Sequence, residues 1–415
     1  MNASSRNYLS GIRPTVLLGA ICLVGWMAFI LWPRLLEALG IVDYGMMYLD
    51  SYAILAALDA VRAGLDPHRA NPYDFLLRYH VYSDWWLGLR WLGLGRADNF
   101  LVGSAWALAF ALSCWLVVRP RNFGEAGWMT AMLLSPPFLL VLLRANNDLV
   151  IFVLLMGWSV AASGTGWLRQ CLAVGVLILA SGLKYYPAPA ALAMVWVRPL
   201  RRMPVILALA LIGVAAALAS LWPQLARSQF RIEVGVHLMG APLLGRALGL
   251  SDPTTQRVSL GLLVLAAVGL ARGRFTTGLA SRGEPRERLL AVSGAILLLA
   301  CFVAGVNFAY RWIFVFWMAL WLWRQSRPGR GTSREVRTAQ VACGLVMFCL
   351  WQDGILCLVV NELSTMTPAQ SAALDNPWRL ATQPFNWLLM MLLSGWLLEG
   401  AVATLQAWWR ERKLA

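Results

Sequence analysis

The chain has 415 residues, 60% of them hydrophobic and 13% charged, and a formal net charge of +15. Soluble domains carry roughly 25% charged residues, so this chain cannot cover itself with polar surface and lipid is its expected solvent. Its basic residues come in short bursts between apolar runs, which excludes nucleic-acid binding and fits the Lys/Arg excess of cytoplasmic loops.

The N-terminus carries Arg6 and Arg13 ahead of an apolar run from Thr15 to Trp32. That run is long for a signal-peptide core and no A-x-A site follows, so it is expected to be retained as a first span. Runs that can cross a bilayer, allowing for some short ones, lie near 15–32, 99–118, 128–144, 147–163, 168–183, 186–197, 204–222, 256–271, 288–305, 310–323, 338–357 and 385–404. The expected fold is therefore an all-α polytopic membrane protein of about 12 spans, in a range of 10–13, with both termini cytoplasmic. The third to sixth runs are short and broken by Pro136, Pro137, Pro187 and Pro189, and some of them read as half-helices. In this topology the cytoplasmic segments hold 21 of the 35 Lys and Arg, and the bias sets the orientation.

No internal repeat or separate soluble domain is visible, so residues 1–415 read as one membrane domain. Its first extracytoplasmic loop, 33–98, is long. Tyr48 to Ala63 predicts a helix with Ile54, Leu55, Leu58 and Val61 on its apolar face, ended by Gly64. Trp85 to Leu94 predicts a helix lying in the membrane interface. Further outer loops are expected at 223–255 and 358–384. The seven cysteines form no CxxC and the three histidines no HExxH, so no disulfide framework and no metal site are expected.

Charged and amide groups at membrane depth are costly, and five groups fall at the outer ends of spans or in outer loops. Asp50 begins the outer helix, where a carboxylate suits the helix dipole and could also act as a general base; Asp43 competes for that role. Arg144, Asn146, Asn147 and Asp148 sit between two apolar stretches, as a tight turn or as a lining of a polar cavity. Lys184 is one of two lysines, either snorkelling or offering a point charge to a phosphate, with Tyr185 and Tyr186 beside it. Asn307, Tyr310 and Arg311 form a fourth group, with Arg311 an interface anchor or a bidentate phosphate ligand. Arg231, Glu233 and His237 form the fifth and weakest. Together they suit an anionic lipid-linked donor and a polar acceptor meeting at the outer surface.

Several segments resemble glycosyltransferase family 87 and its bacterial relatives in the GT-C superfamily, which use polyprenyl-phosphate sugars. The likeness runs through Asp50 and its helix, Ala63-Gly64-Leu65-Asp66-Pro67, Asn71-Pro72-Tyr73-Asp74 with Arg78, Asn146 to Phe152, Lys184-Tyr185-Tyr186-Pro187, and Asn307 to Arg311. It departs at Ala145, where a glycine is usual, and at His80-Val81-Tyr82-Ser83, which replaces an Asn-Tyr-Pro. The resemblance implies a GT-C fold in a bacterial plasma membrane and a mannosyltransferase-like hexosyl or pentosyl transfer with inversion. Asp50 would deprotonate a hydroxyl of a lipid or glycan acceptor, and Lys184 and Arg311 would stabilise the leaving lipid phosphate. It implies no cofactor and no metal, since the lipid-linked sugar is a substrate. A transporter or flippase of lipid-linked sugars, or a glycan ligase or polymerase, are the other readings the residues allow. Donor sugar, acceptor and oligomeric state are not encoded in any motif.

Overall fold

The computed structural model describes residues 3–41, 45–164, 166–196, 203–227, 237–273, 283–361 and 368–414. Asp43, Arg231 and Glu233 lie outside the described residues. The described chain is nearly all helix: α1 (Ala3–Leu31), α2 (Pro33–Ala38), α3 (Leu49–Arg62), α4 (Asn99–Val117), α5 (Phe123–Leu133), α6 (Pro136–Leu143), α7 (Asp148–Ala162), α8 (Trp167–Leu183), α9 (Met203–Arg227), α10 (Pro242–Ala247), α11 (Asp252–Arg272), α12 (Pro285–Ala304), α13 (Val315–Gln325), α14 (Ser333–Asn361) and α15 (Pro368–Leu414).

Six helices among the described residues are long and apolar enough to cross a membrane, or seven if α5 and α6 count as one broken span, so the protein is multi-pass. The remaining apolar runs become shorter pieces: Pro14–Ala28, α7 and α8 are apolar but under 18 residues. Run 186–197 becomes a nine-residue 3-10 helix, Ala188–Trp196, with Pro189 in its first turn. Run 310–323 divides into a 3-10 turn, Ala309–Phe314, and α13. The expected break in run 128–144 is real: α5 and α6 meet at 61°. Ser135 takes an extended backbone there, and Pro136 and Pro137, lacking N–H groups, open a new helix instead of continuing the old one.

The expected outer helix is α3, within a residue of its predicted ends, and Ile54, Leu55 and Leu58 are fully buried. It is embedded nearly all round, since Ala53, Ala56, Ala57 and Ala60 are buried too. The Trp-rich segment differs from expectation: it is a 3-10 helix, Asp84–Leu92, ended by Gly93 in the left-handed region. One face turns inward, with Trp86 buried, while Trp91 and Leu92 are exposed. The two later loops are also more structured than expected. Segment 223–255 contains the end of α9, α10 and the start of α11, and most of 358–384 belongs to α14 and α15.

α12 is the most enclosed of the long apolar helices, and it packs on α13, α7 and α15. Phe152 of α7 stacks near Trp317 of α13 at 4.5 Å and near Phe110 of α4 at 4.8 Å, which joins three helices in one apolar core. Beyond α12 the chain makes a two-residue strand, β2 (Asn307–Phe308), antiparallel to β1 (Leu238–Met239). Gly240 and Gly305 permit this: a Cβ on Gly240 would sit 2.2 Å from the Gly305 carbonyl.

Two ionic clusters lie at opposite ends of α12 and α13. At one end Arg324 donates from Nη2 to Glu125 Oε2 at 2.9 Å and from Nη1 to Glu287 Oε1 at 2.7 Å. Arg121 adds a bond to Glu287 at 2.6 Å. At the other end, where α12 leads into β2 and α13 starts, stand Asn307, Tyr310 and Arg311. Twenty residues of α12 separate the two levels by about 30 Å, one hydrocarbon thickness.

Candidate functional site

The site is assembled from chain ends, where helices leave backbone groups and polar side chains at a common level. Tyr48, in the left-handed region at φ 63°, turns the chain into α3. The N–H groups of Tyr48 and Asp50 donate to the carbonyls of Leu143 and Arg144 at 2.8 and 2.9 Å. These bonds dock the start of α3 on the end of α6 and satisfy groups that helix termini leave open. The Tyr48 ring lies on Gly103 of α4, where no side chain would fit.

Asp50 is 2% exposed and held by charge. Arg144 Nε and Nη2 donate to its Oδ2 and Oδ1 at 3.0 and 2.8 Å, a bidentate pair. Asn146 Nδ2 donates to Oδ2 at 2.6 Å, and Arg78 Nη1 stands 3.5 Å from Oδ1. Asp148, fully buried, occupies a second nest. Arg311 Nη1 donates to its Oδ1 and Oδ2 at 2.8 and 2.9 Å, and Lys184 Nζ and the Tyr186 hydroxyl both donate to Oδ1. Asn146 joins the two nests: its Oδ1 accepts from Lys184 Nζ at 3.2 Å and from the Asp148 N–H at 3.0 Å. Asn147 Oδ1 also accepts from Lys184.

The structure therefore brings Asp50, Arg144, Asn146, Asn147, Asp148, Lys184, Tyr186 and Arg311 into one hydrogen-bonded network. Tyr310 lies between the nests, its ring centre 6.0 Å from Lys184 Nζ and 5.6 Å from Arg311 Cζ. Three other candidates fall outside. Tyr185 is 42% exposed and meets the network at the edge of Tyr186. Asn307 spends its amide on the carbonyls of Cys301 and Gly305, closing the turn after α12. His237 bonds through Nε2 to the Leu39 carbonyl at 2.7 Å, while its own carbonyl accepts from Ala309 N–H.

Arg78 was not among the candidate ligands, yet it belongs to the network. Asp74 accepts from its Nε and Nη2 at 3.0 and 2.9 Å, and Leu49 O accepts from Nη2 at 2.8 Å. These contacts hold the guanidinium beside Asp50. Its carboxylate partners, Asp74 above all, keep it protonated against the cost of burial. Its sequence signals are its place after the Asn-Pro-Tyr-Asp segment in the family resemblance and the Asp-x-x-x-Arg spacing from Asp74.

Four cations, Arg78, Arg144, Lys184 and Arg311, meet three carboxylates, Asp50, Asp74 and Asp148, which leaves one positive charge in excess. Two buried donors in the network have no acceptor: Asn147 Nδ2 and Arg311 Nε. A buried unpaired donor costs about 1–3 kcal/mol, which a ligand oxygen would recover. The Asp148 nest is nearly closed, with Lys184 and Arg311 side chains 10% exposed. The Asp50 nest opens further, with Arg144 at 21% and Arg78 at 27%. Among the described residues no group of three or more His, Cys, Asp or Glu is placed to hold a metal ion.

Lys184 is positioned from the outer loop. Ser83 Oγ donates to the Gly182 carbonyl at 2.6 Å and Trp86 Nε1 to the Leu183 carbonyl at 3.0 Å, occupying acceptors that the end of α8 leaves free. The Trp85 ring covers Gly182. No protein family, curated protein or solved structure matches the chain.

Proposed function

We propose that this protein is an integral membrane glycosyltransferase of GT-C type, with about twelve membrane passes once its shorter apolar helices are counted. It would transfer a sugar from a polyprenyl-phosphate donor to an acceptor hydroxyl at the extracytoplasmic face. The observation that carries this reading is the excess cation together with two buried donors that have no acceptor, Asn147 Nδ2 and Arg311 Nε, in one network with a buried carboxylate, Asp50, whose arginine partners reach solvent. A polyprenyl-phosphate sugar is a monoanion in the ground state and matches the single excess charge. As the bond from the anomeric carbon to the phosphate oxygen breaks, a second negative charge develops on the phosphate. Donors fixed near that oxygen stabilise the transition state more than the ground state.

In this mechanism Asp50 takes the proton of the acceptor hydroxyl while its oxygen attacks the anomeric carbon from the face opposite the phosphate, with inversion. The prenyl phosphate leaves as a monoester, and no metal or nucleotide takes part. Arg144 must loosen first, because a carboxylate held bidentately by an arginine is a weak base. The donor phosphate competes for the same guanidinium, so donor binding frees Asp50 and couples the two substrates. Asp148 is the poorer base: it is fully buried under two cations and a tyrosine hydroxyl, and it serves to hold Lys184 and Arg311.

The test is incubation of the purified protein in nanodiscs with a panel of polyprenyl-phosphate sugars and crude membrane acceptors, with products read by mass. Asp50→Asn should lower transfer by at least about a thousandfold while leaving donor binding intact. Full activity in that variant would remove Asp50 as the base. Translocation of the donor without a glycosylated product would favour a flippase.

A further inference from the structure

The end of the bundle that carries Arg324 also holds a groove of about 350 Å³, shared by α11, α14 and α15. α11 and α15 touch closely beside it: a Cβ on Gly395 would stand 2.7 Å from Leu270 Cβ, and Ser394 Oγ donates to the Leu263 carbonyl at 3.2 Å. α14 is fixed on the end of α13 by Gln340 Nε2, which donates to the Ser326 carbonyl at 3.2 Å. Ser326 follows Arg324 by two residues, so α14 begins at the level of that ionic cluster.

One face of α14 lines the groove. Arg334, Arg337, Thr338 and Val341 are spaced i, i+3, i+4, i+7 and share a stripe, with Ser333 at its edge. Leu270 of α11 and Leu392 of α15 form the walls. Polarity changes in one direction along the stripe, from the two arginines to Val341, which is 53% exposed. The acid of this turn, Glu335, lies off the stripe. It is 6% exposed and accepts from the Thr332 N–H at 2.9 Å in a capping box.

We infer that this groove is a binding site for a lipid with an anionic phosphate headgroup, seated at the end of the bundle opposite the Asp50 network. Two guanidinium groups one turn apart can share the oxygens of one phosphate. Thr338 Oγ1 donates to the Arg334 carbonyl at 3.0 Å, so the cations and not this hydroxyl meet the anion. The headgroup must be net anionic, because choline or ethanolamine would bring a further cation beside two arginines. The walls select a lipid over a soluble phosphate. α14 is long and apolar enough to cross a membrane, and Val341, Leu270 and Leu392 stand next to the arginines where an acyl chain would follow its phosphate. A lipid seated there touches three helices at once and stabilises their packing.

The experiment uses the full chain in nanodiscs of phosphatidylcholine with increasing phosphatidylglycerol, and it reads binding without any need for activity. Retained lipids are counted by native mass spectrometry, and thermal unfolding is recorded on the same samples. Wild type should retain one phosphatidylglycerol in preference to phosphatidylcholine, and its thermal midpoint should rise with phosphatidylglycerol. Arg334→Gln combined with Arg337→Gln should weaken that retention roughly tenfold or more and abolish the rise. Both residues are exposed, so in pure phosphatidylcholine the double variant should keep the wild-type midpoint. A lower midpoint there makes Arg337→Gln alone the comparison, with at least about threefold weaker retention expected. Arg330→Gln combined with Arg410→Gln removes the same charge outside the groove and should change retention by less than about twofold. Equal losses in the two double variants would reduce the effect to general surface charge and overturn the site, as would equal retention of the two lipids by wild type. Displacement of the lipid by inorganic phosphate at matched ionic strength would mean a free-anion site and overturn the assignment to lipid.

Discussion

Asp50 and Asp148 are both buried and both paired with two cations, yet their variants should behave differently. The partners of Asp148 are themselves enclosed, so Asp148→Asn strands Lys184 and Arg311 away from water and should cost about 3–5 kcal/mol. The partners of Asp50 reach solvent, so Asp50→Asn should cost at least about 2 kcal/mol less. Thermal unfolding of both variants in nanodiscs measures the difference, and equal losses would show that the exposure of Arg78 and Arg144 does not relieve them. Ala145 is a second residue-scale test. It holds φ at 40°, in the left-handed region, at the position where the sequence resemblance favours glycine. A non-glycine residue there costs about 1–2 kcal/mol, which the flanking bonds of Asn146 and Asp148 must outweigh. Ala145→Gly should stay within about 1 kcal/mol of wild type, since relief of strain offsets the lost methyl and the freer unfolded chain. Ala145→Val, β-branched and with no room at a fully buried position, should lose at least about 2 kcal/mol by the same measurement.

At the scale of an element, the first outer loop carries a built-in response to acid. His80 takes up a proton in the folded protein only near pH 4, whereas its ordinary value is 6.5, because burial disfavours the imidazolium and His68 stands beside it. Between those values the unfolded chain binds the extra proton. The contribution of His80 is therefore fully present above about pH 6.5 and lost as pH falls toward 4, by about 3 kcal/mol. His80→Phe should flatten that part of the stability profile between pH 6.5 and 5, and an unchanged slope would place the acid sensitivity elsewhere. The broken span α5–α6 and the 3-10 turns around Lys184 and Arg311 make the same point about elements. Proline and short length forbid continuous helix at these places, and the chain ends that result are where the polar network is built.

For the whole molecule, the two ionic clusters mark opposite ends of the helical bundle. The cluster of Arg324, Glu125 and Glu287 ties α5, α12 and α13 together at the end rich in Arg. Arg324 is 9% and Glu125 4% exposed in their side chains, so Arg324→Ala leaves a buried carboxylate and should cost about 3–5 kcal/mol. Arg121, at 48%, should cost less than about 1 kcal/mol when replaced by Ala. Equal effects would mean that the cluster is solvated and not a clamp. The orientation of the bundle can be read by cysteine labelling: positions 184 and 311 should react only from the extracytoplasmic side, and position 327 only from the cytoplasmic side.

Much of this molecule was legible in the residues alone. Lipid as solvent, the helical class, the start of α3, the break at Pro136 and the cluster members from Asp50 to Arg311 follow from composition, periodicity, proline chemistry and the cost of polar groups at membrane depth. These are local properties, each contained in a short stretch of chain. What the tertiary structure decided is which of those groups meet. Asp50 and Arg144 are 94 residues apart and Asp148 and Arg311 are 163 apart, and no spacing rule links them. It also removed Tyr185, Asn307 and His237 from the network, because their bonds close turns or face elsewhere. It brought in Arg78, whose salt bridge with Asp74 looks ordinary until the loop folds against Asp50. The sharing of one pocket by several helix ends depends on how the helices stack, and packing is a property of the whole chain that no local pattern records.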